Sequence, residues 1–123
     1  MIKITAIPFT GYPVTDLPRA RAFYESVLGL KTGDIWEHEG GGWVEYDVGP
    51  ATLAITNMTP AWKPSSDGPA VALEVENFEA AVAELRRQHV KFVIEPTDSP
   101  VCRLAVVCDP DGNTLAIHQR KSG

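Results

Sequence analysis

Three polar side chains sit inside otherwise apolar, strand-like runs of this 123-residue sequence: Glu45 in WVEYDV, Glu74 in VALEV and His118 in NTLAIHQ. An imidazole and a carboxylate together can do general acid–base work, with His118 as base and Glu45 or Glu74 as its partner. The same three groups could instead form a displaced site for a divalent metal, since imidazole and carboxylate both suit Zn, Ni, Fe or Mn. Phe9 and Trp43 offer a different chemistry. Their ring faces attract cations and stack on flat rings, and carboxylates nearby would reinforce a cationic or polycyclic ligand. Each group also has a plainer reading. Phe9 and Trp43 read as packing, Glu45 and Asp47 as solvated strand residues, and His118 as a hydrogen-bonded residue near the chain end. Glu74 is the hardest to dismiss, because a charge within an apolar alternation must face a cavity or a partner subunit.

The elements that position these groups occur twice. TLAI is written at Thr52–Ile55 and again at Thr114–Ile117, and GYPVTDLPRARAFYESVLGL resembles ALEVENFEAAVAELRRQHVK at a shift of 61 residues. Each half opens with a strand, around Ile7 to Val14 and Val71 to Val75. A helix capped by Asp16 (or Thr15) and by Asn77 follows, with Pro18 in the first opening turn. Leu17, Ala20, Phe23, Tyr24, Val27 and Leu28 recur at helical spacing, as do Phe78, Ala81, Val82 and Leu85, and Gly29 suits a helix C-cap. Three strands then follow in each half: Lys31 to Glu37, Gly42 to Val48 and Ala51 to Asn57; Val90 to Glu95, Val101 to Cys108 and Asn113 to Gln119. Both halves read β-α-β-β-β. MTPAWKPSSDG reads as the linker, which divides the chain into module one (about 1–57), linker (58–68) and module two (about 69–123).

Strand alternation sorts residues by face. Tyr12, Val14, Val44, Tyr46, Val71, Leu73, Val75, Leu115 and Ile117 belong to the core; Phe9, Gly11, Pro13, Trp43, Glu45, Ala70, Ala72, Glu74, Ala116 and His118 face the other way. Small residues, two aromatics and a few polar groups together suit a small-molecule pocket. Trp36 and Trp62 fit either a groove cap or a dimer seam. His38, His89, Arg86 and Arg87 read as surface.

The net charge of −5 disfavours nucleic acid and anionic membranes as partners. MIKITAIPFTGYPV lacks the pattern of a secretory signal, and no run is long and apolar enough to span a bilayer, so a cytoplasmic protein is expected. Cys102 and Cys108 lie at the two ends of one extended run. Their Cα atoms should be about 20 Å apart, too far for a disulfide, so free thiols are expected.

The doubled βαβββ pattern, with VTDLPRARAFYESVLGL in the first copy and DPDGNTLAI in the second, resembles the vicinal-oxygen-chelate superfamily of glyoxalase I, extradiol dioxygenases and bleomycin-resistance proteins. The resemblance implies an α+β fold: two tandem βαβββ modules forming curved mixed sheets around a groove. It also implies four metal-binding positions, which fall on Phe9, Ala54, Ala70 and Ala116 in this sequence. None of these side chains can ligate a metal. No cofactor is therefore expected, and the character is nearest to metal-free, dimeric bleomycin-resistance proteins. The expected function is sequestration of a hydrophobic or cationic ligand by a homodimer, with ligand contacts from Phe9, Gly11, Trp43, Glu45, Ala54, Ala70, Glu74, Ala116 and His118. The alternative is a glyoxalase-like lyase, isomerase or dioxygenase using His118, Glu74 and Glu45, either metal-free or around a relocated metal. A third reading reserves the groove for dimerisation or partner docking, and a groove filled by its own side chains would favour it.

Overall fold

A computed structural model of the chain describes residues 1–121, so the last two residues of the second module, Ser122 and Gly123, lie outside the described residues. The chain forms two compact units that divide between Lys63 and Pro64, inside the MTPAWKPSSDG segment.

The first unit contains β1 (Thr10–Pro13), α1 (Leu17–Arg21), a π-helical continuation (Ala22–Val27), β2 (Lys31–His38), β3 (Gly41–Val48) and β4 (Ala51–Thr56). Its sheet runs β1-β4-β3-β2, with β1 parallel to β4 and the remaining pairs antiparallel. A parallel pair needs a crossover, and α1 with the next two strands supplies it. Asp16 caps α1, its carboxylate accepting the Arg19 N–H at 3.0 Å. Leu17, Ala20, Phe23 and Tyr24 are buried, and Tyr24 stacks on Tyr46 of β3 at 5.9 Å, which fixes the helix side of the sheet. The π-helical turn is visible in the Leu28 N–H, which donates to Phe23 O at 3.0 Å. Within it Glu25 takes Arg21 Nε–H at 2.7 Å and the Tyr46 hydroxyl at 2.9 Å. Arg21 holds the Glu25 carboxyl below its usual range, while burial first, and then Glu25, push the Tyr46 phenol up.

The second unit contains β5 (Val71–Glu74), α2 (Phe78–Arg87), β6 (Phe92–Asp98), β7 (Cys102–Cys108) and β8 (Thr114–Arg120). Its sheet order, β5-β8-β7-β6, with β5 parallel to β8, repeats the first. Gly11 pairs with Ala54 in the first ladder, and Ala72 pairs with Ala116 in the second. The α+β class and the doubled βαβββ order are as expected. Cys102 and Cys108 are free thiols at opposite ends of β7.

Two strand starts and the burial along α2 differ from expectation. β1 begins at Thr10 rather than Ile7, and Ile7 is exposed. Pro8 has no N–H to give a ladder, and pairing starts only at Thr10↔Leu53. Phe9 therefore stands just before β1, and Ala70 just before β5. β6 starts at Phe92, not Val90, because the chain first leaves α2 through His89 at φ 59, the left-handed conformation that Gly29 (φ 72) supplies in the first unit. Finally, Ala81 and Val82 are only half-buried, and α2 fully buries just Phe78 and Leu85.

The DPDGN turn between β7 and β8 is organised by Asp109, which is 4% exposed. Its carboxylate accepts the backbone N–H of Asp111 and Asn113 and the Asn113 side-chain amide, each at 2.9 Å. Asn113 in turn accepts the Ser65 N–H at 3.1 Å. Asp109→Ala strands these donors and should lower stability by about 1–3 kcal/mol, read as a lower urea midpoint with an unchanged slope.

Candidate functional site

The sheet face turned away from α1 is built from two cross-strand rows. Gly11, Ala54 and Glu45 form one, and Pro13, Thr56, Trp43 and Trp36 form the next. Three aromatic rings gather over the first row. Phe9 meets Trp43 edge-on at 5.0 Å between centroids. A Cβ placed on Gly11 would lie 3.2 Å from Trp62 Cζ3 and 3.4 Å from Phe9 Cε1, so the rings sit close over this glycine and a larger residue would have to push them back. Trp43 Nε1–H donates to Glu45 Oε2 at 2.9 Å, fixing both indole and carboxylate. Trp62 is 44% exposed, and Trp36, stacked on His38 at 5.6 Å, is 54% exposed. Ala54 beneath them is fully buried. This is a preorganised aromatic platform with one oriented carboxylate.

The equivalent face of the second unit has different chemistry on the same lattice. Its rows are Ala72, Ala116 and Val106, then Glu74, His118 and Leu104. Glu74 Oε1 lies 2.5 Å from His118 Nδ1, and Oε2 accepts the Arg120 N–H at 2.7 Å. An ionised carboxylate can only accept, so Nδ1 carries the proton in this contact. Nε2 makes no hydrogen bond among the described residues. The Arg120 amide first, then His118, hold the Glu74 carboxyl below the usual glutamate range.

Of the two carboxylates considered as partners of His118, the structure brings Glu74 to it. Glu45 belongs to the other unit and is engaged by Trp43. Sequence reasoning did not foresee that Trp62 would cover Gly11, which only the turn formed by the Trp62 N–H and Thr59 O makes evident. Nor did it find the Arg120 amide contact, since every residue carries such a donor and no side-chain type marks it.

The description Glyoxalase/Bleomycin resistance protein/Dioxygenase superfamily matches residues 6–117. The chain belongs to this superfamily. No curated protein sequence matches it. Among solved structures it is similar to TnmS3, an antibiotic binding protein from Streptomyces sp. CB03234, with a TM-score of 0.80 and 23% identity, over 98% of this chain and 100% of that one. UcmS2 gives 0.77 and 24%, over 94% and 98%. The trypanothione-dependent glyoxalase I of Leishmania major gives 0.77 and 26%, over 94% of this chain and 87% of that one.

Superfamily enzymes use a metal, so the donor set has to be tested. Ala54 and Ala116 occupy the strand positions next to Gly11 and Ala72, and Phe9 and Ala70 flank the opening strands. These four positions present only carbon. Among the described residues no group of three or more His, Cys, Asp or Glu side chains could hold a metal. The described residues therefore do not fit the family's metal.

The Glu74 contact makes a titration prediction. A depressed folded-state value means that its stabilisation is present above the ordinary value of 4.5 and is lost as pH falls through the lower folded value. Carboxyl-carbon NMR should place the Glu74 midpoint below 4.5. In His118→Ala it should return only part of the way, because the Arg120 amide remains. A wild-type midpoint at or above the ordinary value would contradict the geometry.

Proposed function

We propose that the protein is a small-molecule-binding member of the superfamily that sequesters a hydrophobic or cationic ligand without metal chemistry. The observation that carries this reading is the platform of Phe9, Trp43 and Trp62 around Gly11, with Glu45 aimed by the Trp43 indole. Indole faces attract flat and cationic groups, and the carboxylate supplies the counter-charge. Gly11, Ala54, Ala70 and Ala116 leave the strands free of bulk, while Glu74 and His118 give the second unit its own polar contact. The description of TnmS3 as antibiotic-binding supports the same class of role.

In this reading the protein works as a homodimer in the cytoplasm. Support comes from the exposed Ile2, Ile4 and Ile7 and from the two free thiols, which suit a reducing compartment. Sedimentation velocity on the full chain checks the dimer, and a monomer at all accessible concentrations would remove that element.

A second reading is favoured by the 2.5 Å Glu74–His118 contact, which pairs an imidazole with a carboxylate as general acid–base work in a metal-free isomerase or lyase requires. Docking of a partner on the platform is a third, supported by the rings that already cover Gly11. The exposed Trp62 and Trp36 favour a ligand-accessible rim over a sealed face.

Tryptophan fluorescence decides between these. The cationic acridine proflavine should quench the protein in the presence of chelator, and Trp43→Ala and Glu45→Gln should each weaken binding roughly 3- to 30-fold. Loss of binding on chelation with recovery on added Zn or Mn would overturn the proposal.

A further inference from the structure

Residues 1–8 form an arm that the first unit leaves unused. All eight are exposed, with Ile2 at 89%, Ile4 at 83% and Ile7 at 86%. None of them hydrogen-bonds to another described residue. In an extended chain MIKITAI puts Ile2, Ile4 and Ala6 on one face and Lys3, Thr5 and Ile7 on the other. Lys3 is the only charged side chain of the arm. An alternating, β-branched segment of this kind has the composition of a strand but no ladder to join.

Four strands lie at sheet edges: β1 and β2 in the first unit, β5 and β6 in the second. Three of them are blunted or already satisfied. β1 continues from the arm and carries Pro13, which gives no N–H. β6 is interrupted by Pro96 and two register shifts, and its Glu95 and Asp98 are paired with Arg86 and Lys121. On β5 the one carboxylate, Glu74, is taken by His118 and the Arg120 N–H. β2 differs: it is exposed throughout, pairs regularly with β3 from Ile35 to His38 and contains no proline. Its Asp34 and Glu37 make no ion pair among the described residues. Glu37 stands on the helix side, where a Cβ on its partner Gly42 would lie 3.4 Å from Glu37 Cγ and 2.6 Å from Leu17 Cδ2. With Leu17, Pro18, Glu39 and Asn57 it lines a cleft of about 600 Å3, whose arginine, Arg21, is committed to Glu25 at 2.7 Å.

We propose that the arm of one copy adds as an antiparallel strand to β2 of a second copy, with Lys3 opposite Glu37. This partner rests on the homodimer reading above and names the surface that would make it. Strand alternation then sets every neighbour. Ile2 falls beside His38 and Ile4 beside Trp36 on the platform side, while the Lys3 ammonium enters the cleft of Glu37 and Glu39. A one-residue slip would set Lys3 among the rings and the isoleucines among the carboxylates. A parallel arm would run off the strand at the Glu39–Gly40 turn after Ile4, whereas the antiparallel arm stays on the ladder as far as Thr5. Because β1 and β2 are the two edges of one sheet, each copy gives one arm and accepts one, and the exchange closes at two copies.

The test is amide hydrogen exchange of the full chain over a range of protein concentrations, with sedimentation velocity on the same samples. Residues 2–5 and 35–38 should gain protection together as the dimer forms, exchanging about 10-fold more slowly or better. Deleting residues 1–7 should leave β2 unprotected and weaken the dimer about 10-fold or more. Lys3→Glu and Glu37→Lys should each weaken self-association roughly 3- to 10-fold, since each pair occurs twice in the dimer. An equimolar mixture of these two variants should restore it, because every arm again meets an edge of opposite charge. A merely structural role for either residue would not produce that rescue. A dimer that survives the deletion, with β2 exchanging freely, overturns the arm and leaves the homodimer standing. A chain that stays monomeric overturns both, and protection that appears on β6 in place of β2 overturns the assignment of the edge.

Discussion

The parallel ladder between the first and last strand of each unit is the constraint from which the rest follows. It is the one pairing that a hairpin cannot make, so the helix and two intervening strands exist to close it. Its register sets Gly11 against Ala54 and Ala72 against Ala116, which places the smallest side chains at the centre of each face. In the first unit that absence of bulk is what admits Trp62 and Phe9 to the backbone of β1. A one-residue slip would send Tyr12 and Ile55 outward and bring the platform residues into the helix-facing core.

The two units show how one lattice can carry unlike chemistry. The positions of Pro13 and Thr56 in the first are taken by Glu74 and His118 in the second, and those of Trp43 and Glu45 by Leu104 and Val106. Polar function therefore sits on the third strand of one unit and on the parallel pair of the other. The backbone is copied while the side chains diverge, so shared fold and shared reaction are separate matters here. Ala54 and Ala116 carry no polar side-chain atom, so each face takes its chemistry from their neighbours.

Much of this architecture was legible in the sequence because its signals are local. Asp16 and Asn77 precede apolar helical repeats, and both are observed caps, at 3.0 Å to Arg19 N–H and Ala80 N–H. Strand alternation placed Tyr12, Val44 and Tyr46 in the core, where all three are buried. The same alternation put Glu74 and His118 on the groove face, and the parallel pairing of β5 with β8 brings them into contact. What was not legible depends on distance in sequence or on backbone groups. Trp62 reaches Gly11 across 51 residues of chain, and no period predicts that contact. The beginning of β1 was overextended because Ile7 continues the apolar run that leads into the strand, yet pairing starts only at Thr10 and Ile7 is exposed. The π-helical turn has no composition of its own; it becomes intelligible only when Glu25 is seen bridging Arg21 and Tyr46.

The units also differ in how their helices are held, and this bears on what each face can do. α1 and its continuation bury Leu17, Ala20, Phe23 and Tyr24 against a tyrosine stack, so the platform rests on a close-packed support. α2 buries Phe78 and Leu85 and relies otherwise on polar ties: Gln119 to the Phe78 amide, Arg103 to Glu79, and Arg86 to Glu95 and over the Phe92 ring. Apolar packing resists local opening, whereas exposed ion pairs yield to salt and to competing ions. A rigid aromatic surface suits recognition by shape, because its rings lose little freedom when a flat ligand arrives. The second unit, held by exchangeable charges, is instead suited to recognition by charge.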